Sequence, residues 1–225
     1  MQTDIQYRPA YALAIVTLGP NEGIRVDSGA MVSMSADLQI ETKAQGGLLA
    51  SLGRSLLGGE SFITNIYRAG PKGGEITLAP TLPGDVFTIE LKAETLMLQS
   101  GAYLASAESV GLDTKWTGAK TFFASEGVIM LRASGTGTLI FSSYGAIHEK
   151  NLGPGEKYRV DTGHLVAFSD GVGFQVTKVG GLKSTLFSGE GLVVELTGPG
   201  RLLMQTRSEQ SFLNWLIPKL PTKKD

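Results

Sequence analysis

Cysteine is absent from the 225-residue chain, and histidine occurs only twice, at His148 and His164. The first absence excludes a disulfide framework, a Cys-ligated zinc and a thiol nucleophile. The scarcity of histidine excludes the H-x-H pair with which cupin-like sandwiches hold a metal. An excess of charge of one sign is missing too: 20 basic against 21 acidic residues leave a formal net charge of −1. No bulk field draws in nucleic acid or anionic lipid, so nucleic acid is not an expected partner. No apolar run approaches the ~20 residues that cross a bilayer as a helix. The run at 10–18 reads as a strand rather than a signal peptide, since only Arg8 supplies positive charge before it and Asp4 opposes it. A cytoplasmic location is expected.

What the chain has in excess is glycine, 30 residues against 9 prolines. The glycines fall between short apolar runs, a pattern of many tight turns and hence many strands. The expected class is all-β.

The chain also repeats itself. LGPNEGIRVDSGAMV at 18–32 and LGPGEKYRVDTGHLV at 152–166 share nine of fifteen residues at a constant offset of 134. A third, diverged copy is expected between them. It would start at Leu82-Pro83-Gly84-Asp85 and reach Ser100-Gly101-Ala102 after an insertion of about eight residues. The second half of each copy runs from a glutamate (Glu60, Glu126, Glu190) through an apolar run, a glycine-rich element and another apolar run. This predicts three β-hairpins, with glycines at the positive-φ positions. Gly135-Thr136-Gly137 and Gly171-Val172-Gly173 are both expected to be hairpin turns. The reading is three small β-sandwich repeats, double-stranded β-helix-like, over 1–81, 82–151 and 152–225. A unit of ~60 residues is marginal alone, so stacking and oligomerisation are expected.

Helical periodicity occurs in two places. The segment 46–59 places Leu48, Leu49, Leu52, Leu56 and Leu57 on one face of a short helical insertion in repeat one. Those leucines need cover from the chain itself, a neighbouring subunit, a protein partner or a membrane surface. At 208–216, Phe212, Trp215 and Leu216 mark a C-terminal helix capped by Ser208 and stopped by Pro218.

GGLLASLGRSLLGGESFITNIY at 46–67, the glycine-rich element after it, LPGD at 82–85 and LQSGAYLAS at 98–106 resemble the bacterial members of the mitochondrial-biogenesis (altered inheritance of mitochondria) family. The resemblance covers nearly the whole chain. It implies a triplicated β-sandwich similar to the tryptophan RNA-binding attenuation protein and a trimer forming a ring of nine units. Fungal members are linked to respiratory-complex and inner-membrane organisation. The family has no established catalytic residue to carry over, and no Arg-rich presequence is found here.

Chemical motifs are few. Gly118, Lys120 and Thr121, like Gly181, Lys183 and Ser184, lack the adjacent Gly-Lys of a phosphate loop. His148 is expected in an exposed loop. His164 stands where the other copies have Ala30 and Ala102, so it is no essential ligand of the fold. One constellation recurs: a basic residue, a hydroxyl, an apolar pair and a glutamate, giving Arg54 with Glu60, Lys120 with Glu126 and Lys183 with Glu190. These six are expected to form structural ion pairs or turn caps repeated around the ring, or equivalent interface or ligand positions between neighbouring units. No catalytic residue, metal or cofactor is expected. The function read from the sequence is a non-catalytic homo-oligomeric scaffold or interaction protein. The alternative is a small-ligand or nucleic-acid binding module using the seams between repeats.

Overall fold

Apolar residues alternate with polar ones along most of the chain, and the alternation sets which side of each strand is buried. In β2 (Leu13–Leu18), Ala14, Val16 and Leu18 point inward while Thr17 is exposed. In β3 (Gly23–Asp27), Ile24 and Val26 are buried and Arg25 lies between them, half-exposed. The computed structural model describes residues 1–41, 62–113, 129–178 and 192–221. Among these the chain is mostly strand, with one short α-helix near the C-terminus.

One pairing scheme occurs at three places. The strand β2 lies antiparallel to β7 (Gly74–Leu78), with Leu18 opposite Gly74. The first half of β8 (Val86–Gln99) lies against the second half of β11 (Met130–Ser142), with Leu91 opposite Gly137. Likewise β12 (Ile147–Leu152) lies against β17 (Gly200–Gln205), with Leu152 opposite Gly200. A second ladder joins β3 to β6 (Thr64–Arg68), the second half of β8 to the first half of β11, and β13 (Lys157–Asp161) to β16 (Leu192–Thr197). A third joins β4 (Met31–Met34) to β7, β9 (Tyr103–Ala107) to β11, and β14 (Leu165–Ser169) to β17. All three of these last ladders carry a register shift. The remaining strands β5 (Gln39–Glu41), β10 (Val110–Asp113) and β15 (Gly173–Lys178) pair with β6, β11 and β16.

Two further ladders join these sets. The strand β3 pairs with β9, and β8 pairs with β14. The buried apolar residues follow the same division. One cluster gathers Val16, Ile24 and Ile76, a second Leu98, Tyr103 and Phe141, a third Leu165, Phe168 and Leu196. The first cluster takes in Leu104 and Ile140 from the middle of the chain, and the third takes in Met97 and Met130.

Local sequence accounts for the turns. In both L-G-P-x-E segments the glutamate closes its own turn: the Gly19 N–H donates to Glu22 at 2.7 Å and the Gly153 N–H to Glu156 at 2.9 Å. The Asp161 carboxylate caps the 3-10 turn Thr162–His164 by accepting from the Gly163 N–H at 2.8 Å. Helix α1 (Glu209–Leu216) starts at Ser208, whose hydroxyl accepts from the Ser211 N–H. Pro218 falls in the 3-10 turn Ile217–Lys219 that ends it, as the sequence predicts.

Three expectations need correction. The glycine-rich elements are not hairpin turns: β6 pairs with β3 and β5, whereas β7 pairs with β2 and β4, so the two flanking strands lie in different sheets. Gly135-Thr136-Gly137 lies inside the continuous strand β11 at a register shift, with φ of +121° and +139° at the two glycines. Those angles bend the strand from one ladder into the next, a conformation that side chains disfavour. Gly171-Val172-Gly173 links β14 to β15, which also lie in different sheets. Second, the ladder counterpart of Leu18 is Leu91, not Leu82, and in place of an insertion of about eight residues the β8–β11 ladder skips a single residue, Ala93. The segment Leu82–Asp85 instead binds a distant connection: Gly145 N–H donates to Pro83, Asp85 N–H to Gly145 and Ser143 N–H to Asp85. A Cβ on Gly84 would run into the Ser143 carbonyl, so this approach needs glycine. Third, His148 is exposed but sits in strand β12 opposite Met204, not in a loop.

Candidate functional site

Each recurrent charged position, Arg54, Glu60, Lys120, Glu126, Lys183 and Glu190, lies outside the described residues. So do Leu48, Leu49, Leu52, Leu56 and Leu57, with the segment 46–59 expected to be helical. The strands that border these stretches pair with each other: β5 with β6, β10 with β11, and β15 with β16.

Among the described residues, the prominent charged groups are engaged with one another. Arg8 donates to both oxygens of buried Asp85, at 2.7 and 2.8 Å, and its guanidinium stands over the Phe87 ring. The hydrogen bonds to Asp85 raise the Arg8 pKa further above its ordinary value. Arg68 bridges two carboxylates, with Nε 2.9 Å from Glu41 and a terminal nitrogen 3.1 Å from Glu108. It thereby ties β6 to the turn after β9. Glu195 on β16 accepts from Lys157 at 2.8 Å and Arg159 at 2.9 Å, both on β13. The Lys157 hydrogen bond, then that of Arg159, holds the Glu195 carboxyl below the usual carboxylate range. Burial pushes the Tyr103 phenol up, and its hydroxyl donates to the Arg25 carbonyl at 3.1 Å. Among the described residues no group of three or more His, Asp or Glu is placed to hold a metal ion.

A shallow concavity lies between α1 and the strand ends, lined by Tyr144, His164, Phe212 and Trp215. Several of the polar groups around it are engaged with the chain itself. His164 Nδ1 donates to the Gln205 carbonyl at 2.8 Å. The Gln205 side chain donates to the Gly163 carbonyl at 2.8 Å and accepts from the Tyr144 N–H at 2.9 Å. Its aromatic side is built by ring contacts: Phe212 packs edge-on against Tyr144, and Trp215 stacks on Phe212. The C-terminal helix that the sequence predicts is thus present, but none of its residues is buried. Among the described residues no helix is long and apolar enough to cross a membrane.

The sequence did not disclose which strands end their sheets; among the described residues, two of the terminal strands carry exposed side chains. In the sheet order β1-β2-β7-β4, with β1 at Gln2–Gln6, strand β4 is terminal. In the order β13-β16-β15, strand β13 is terminal. The side chains at these edges are exposed where their ladder counterparts are buried. Val32 of β4 is 59% exposed, while Leu104 of β9 is 2% and Val166 of β14 is 0% exposed. Tyr158 of β13 is 36% exposed, while Ile24 of β3 is fully buried. Open edges of this kind invite strand addition and are normally covered or blocked.

Known proteins share this architecture. A crystal structure of a Streptococcus pyogenes protein superposes with a TM-score of 0.82 at 25% identity, covering 97% of this chain and 99% of that one. An uncharacterised protein of Streptococcus pyogenes serotype M6 is 27% identical over 231 residues, spanning 99% of this chain and 92% of the relative. Residues 3–207 match the family described as Mitochondrial biogenesis AIM24, and the chain belongs to that family.

Proposed function

We propose that this protein is a non-catalytic scaffold that works as a homo-oligomer, a trimer in which each chain contributes three small β-sandwich units. The observation that carries the reading is that, among the described residues, terminal strands expose apolar side chains such as Val32. Leaving such surface uncovered costs about 25 cal/mol per Å², and association removes it. The three-unit organisation is supported by the threefold recurrence of the ladders and by the division of the core into three clusters. The engagement of Arg8, Asp85, Arg68 and Glu195 in ion pairs supports a structural rather than a catalytic use of those charges. Exposed Trp215 and Ile217 on and after α1 offer such an assembly a surface for a protein partner. The setting that accompanies this reading is cytoplasmic.

The test is native mass spectrometry, with sedimentation at micromolar concentration. A single cyclic oligomer, expected to be a trimer, supports the scaffold; a monomer in both measurements overturns it.

A further inference from the structure

The concavity beside α1 is walled by a row of three rings. The ring centroids of Tyr144 and Phe212 are 6.2 Å apart, and those of Phe212 and Trp215 are also 6.2 Å apart. Trp215 is 59% exposed, although tryptophan is on average well buried. A cation flanks each end of the row. Lys219 Nζ lies 5.1 Å from the centroid of the Trp215 ring. At the other end, the Arg207 N–H donates to the Tyr144 carbonyl at 3.2 Å. The Arg207 side chain passes close to Gly145, where a Cβ would come within 3.1 Å of it. Its guanidinium donates to the Thr206 carbonyl at 3.0 Å, a contact that steadies the group without neutralising it.

The charges around this groove are not balanced locally. Its lining is completed by His164, Thr206, Ser208 and Ser211, with no carboxylate, and Glu209, the one acidic residue of α1, lies outside it. Elsewhere Arg8, Arg68, Lys157 and Arg159 each meet a carboxylate of their own chain. Among the described residues, neither Arg207 nor Lys219 takes part in such an ion pair.

Tryptophan, tyrosine and arginine are the residues that most often anchor protein–protein contacts. An exposed aromatic row between two cations calls for a ligand with an apolar anchor and a carboxylate on either side of it. Two steps of 6.2 Å are spanned by about four residues of extended chain, at roughly 3.1–3.4 Å each. We propose that the groove binds an acidic, extended peptide segment of a partner protein. An apolar side chain of the segment rests on the Phe212–Trp215 stack, and carboxylates about four residues apart accept from Arg207 and Lys219. This names the kind of partner that the scaffold reading calls for and rests on that reading for its role. The groove is shallow, which suits a chain lying across it better than an enclosed small ligand. A bilayer surface is a poorer match, because interfacial helices are rich in Lys and Arg on their polar face and α1 itself carries neither.

Trp116→Phe leaves Trp215 as the single tryptophan, so that its emission reports on the groove in the whole assembled protein. The probes are three pentapeptides blocked at both ends: Glu-Pro-Leu-Pro-Glu, its charge-reversed form Lys-Pro-Leu-Pro-Lys, and Glu-Gly-Gly-Gly-Glu without the apolar anchor. The first is expected to shift the Trp215 emission saturably, and the other two to bind at least about tenfold more weakly. Arg207→Glu combined with Lys219→Glu should invert the order, so that the lysine peptide binds better. Both positions are exposed, so the fold should tolerate the exchange. An absent response to the first peptide, an equal response to its charge-reversed form, or an unchanged order in the double variant overturns the proposal. A Trp215 response to vesicles of phosphatidylcholine and phosphatidylglycerol without one to the peptides also overturns it, since the groove would then take lipid. Native mass spectrometry of the same samples keeps the two readings apart. An oligomer that binds no peptide overturns the groove and leaves the scaffold reading in place. A monomer that binds the first peptide supports the groove and overturns the homo-oligomer.

Discussion

Two seams between sets of strands and two terminal strands of other sheets are built from strands of the same kind, yet they differ in cover. At the β8–β14 seam, Met97 and Phe168 face each other and both are almost fully buried. At the corresponding edge positions, Met34 is half-exposed and Arg159 is exposed. For β4 the apolar character of the strand does not explain the difference. β4 reads MVSM where its buried counterparts read YLAS and LVAF. Burial at a strand edge is set by what the neighbouring strand supplies. Among the described residues, β4 and β13 each end their sheet and have a neighbouring strand on one side.

The comparison can be broken first at the seam. Phe168→Ala removes a ring at 1% exposure that packs against Phe174. The expected loss is about 3–5 kcal/mol of unfolding free energy, read by chemical denaturation. Next is the buried ion pair. Asp85→Ala takes both acceptors from Arg8 and an acceptor from the Val86 N–H. About 1–3 kcal/mol should be lost, because Asp85 is buried while Arg8 remains partly solvated. An undiminished midpoint in urea would place that pair on the side of the dispensable surface charges.

At the open edge the effects should separate. Val32→Asp is expected to change the stability of the dilute chain by no more than about 0.5 kcal/mol, as at an ordinary surface position. The same substitution should abolish assembly in sedimentation, since the carboxylate would lie where Leu104 and Val166 are buried in the counterpart strands. If Val32→Asp instead unfolds the dilute chain, β4 is already covered within its own molecule and the contrast between seam and edge disappears.

The smallest effect concerns acid. The Glu195 carboxyl is held below the usual carboxylate range by Lys157 and Arg159, so its folded pKa lies below its unfolded one. Its contribution is present at neutral pH and is lost as pH falls through the carboxylate range. A slight fall in the thermal midpoint below about pH 4.5 is expected, and Glu195→Gln should flatten that slope. Lys157 and Arg159 are solvent-accessible, so salt should weaken the effect.

Much of the strand content was legible in residues. The alternation of Ala14, Val16 and Leu18 against Thr17 identifies a half-buried strand without reference to its partner. The glutamates of L-G-P-x-E close their turns within three residues, and Ser208 caps α1 within three. Such local chemistry survives translation from sequence to structure. The glycine-rich elements were misread because a positive φ serves a hairpin turn and a bend between sheets equally well. Only the partner strands of β6 and β7 distinguish the two. Arg8 with Asp85, 77 positions apart, and Arg68 with Glu108, 40 apart, carry no spacing signal at all.

By itself, the sequence determined the β-rich class, the strands of the matching segments at 18–32 and 152–166, the capped turns and the C-terminal helix. All of these depend on contacts between near neighbours or on a periodicity of two. The tertiary structure alone decided which strands become neighbours and that β4 and β13 remain terminal. Edge cover depends on long-range pairing, and a strand's own residues look the same whether the next strand is present or not.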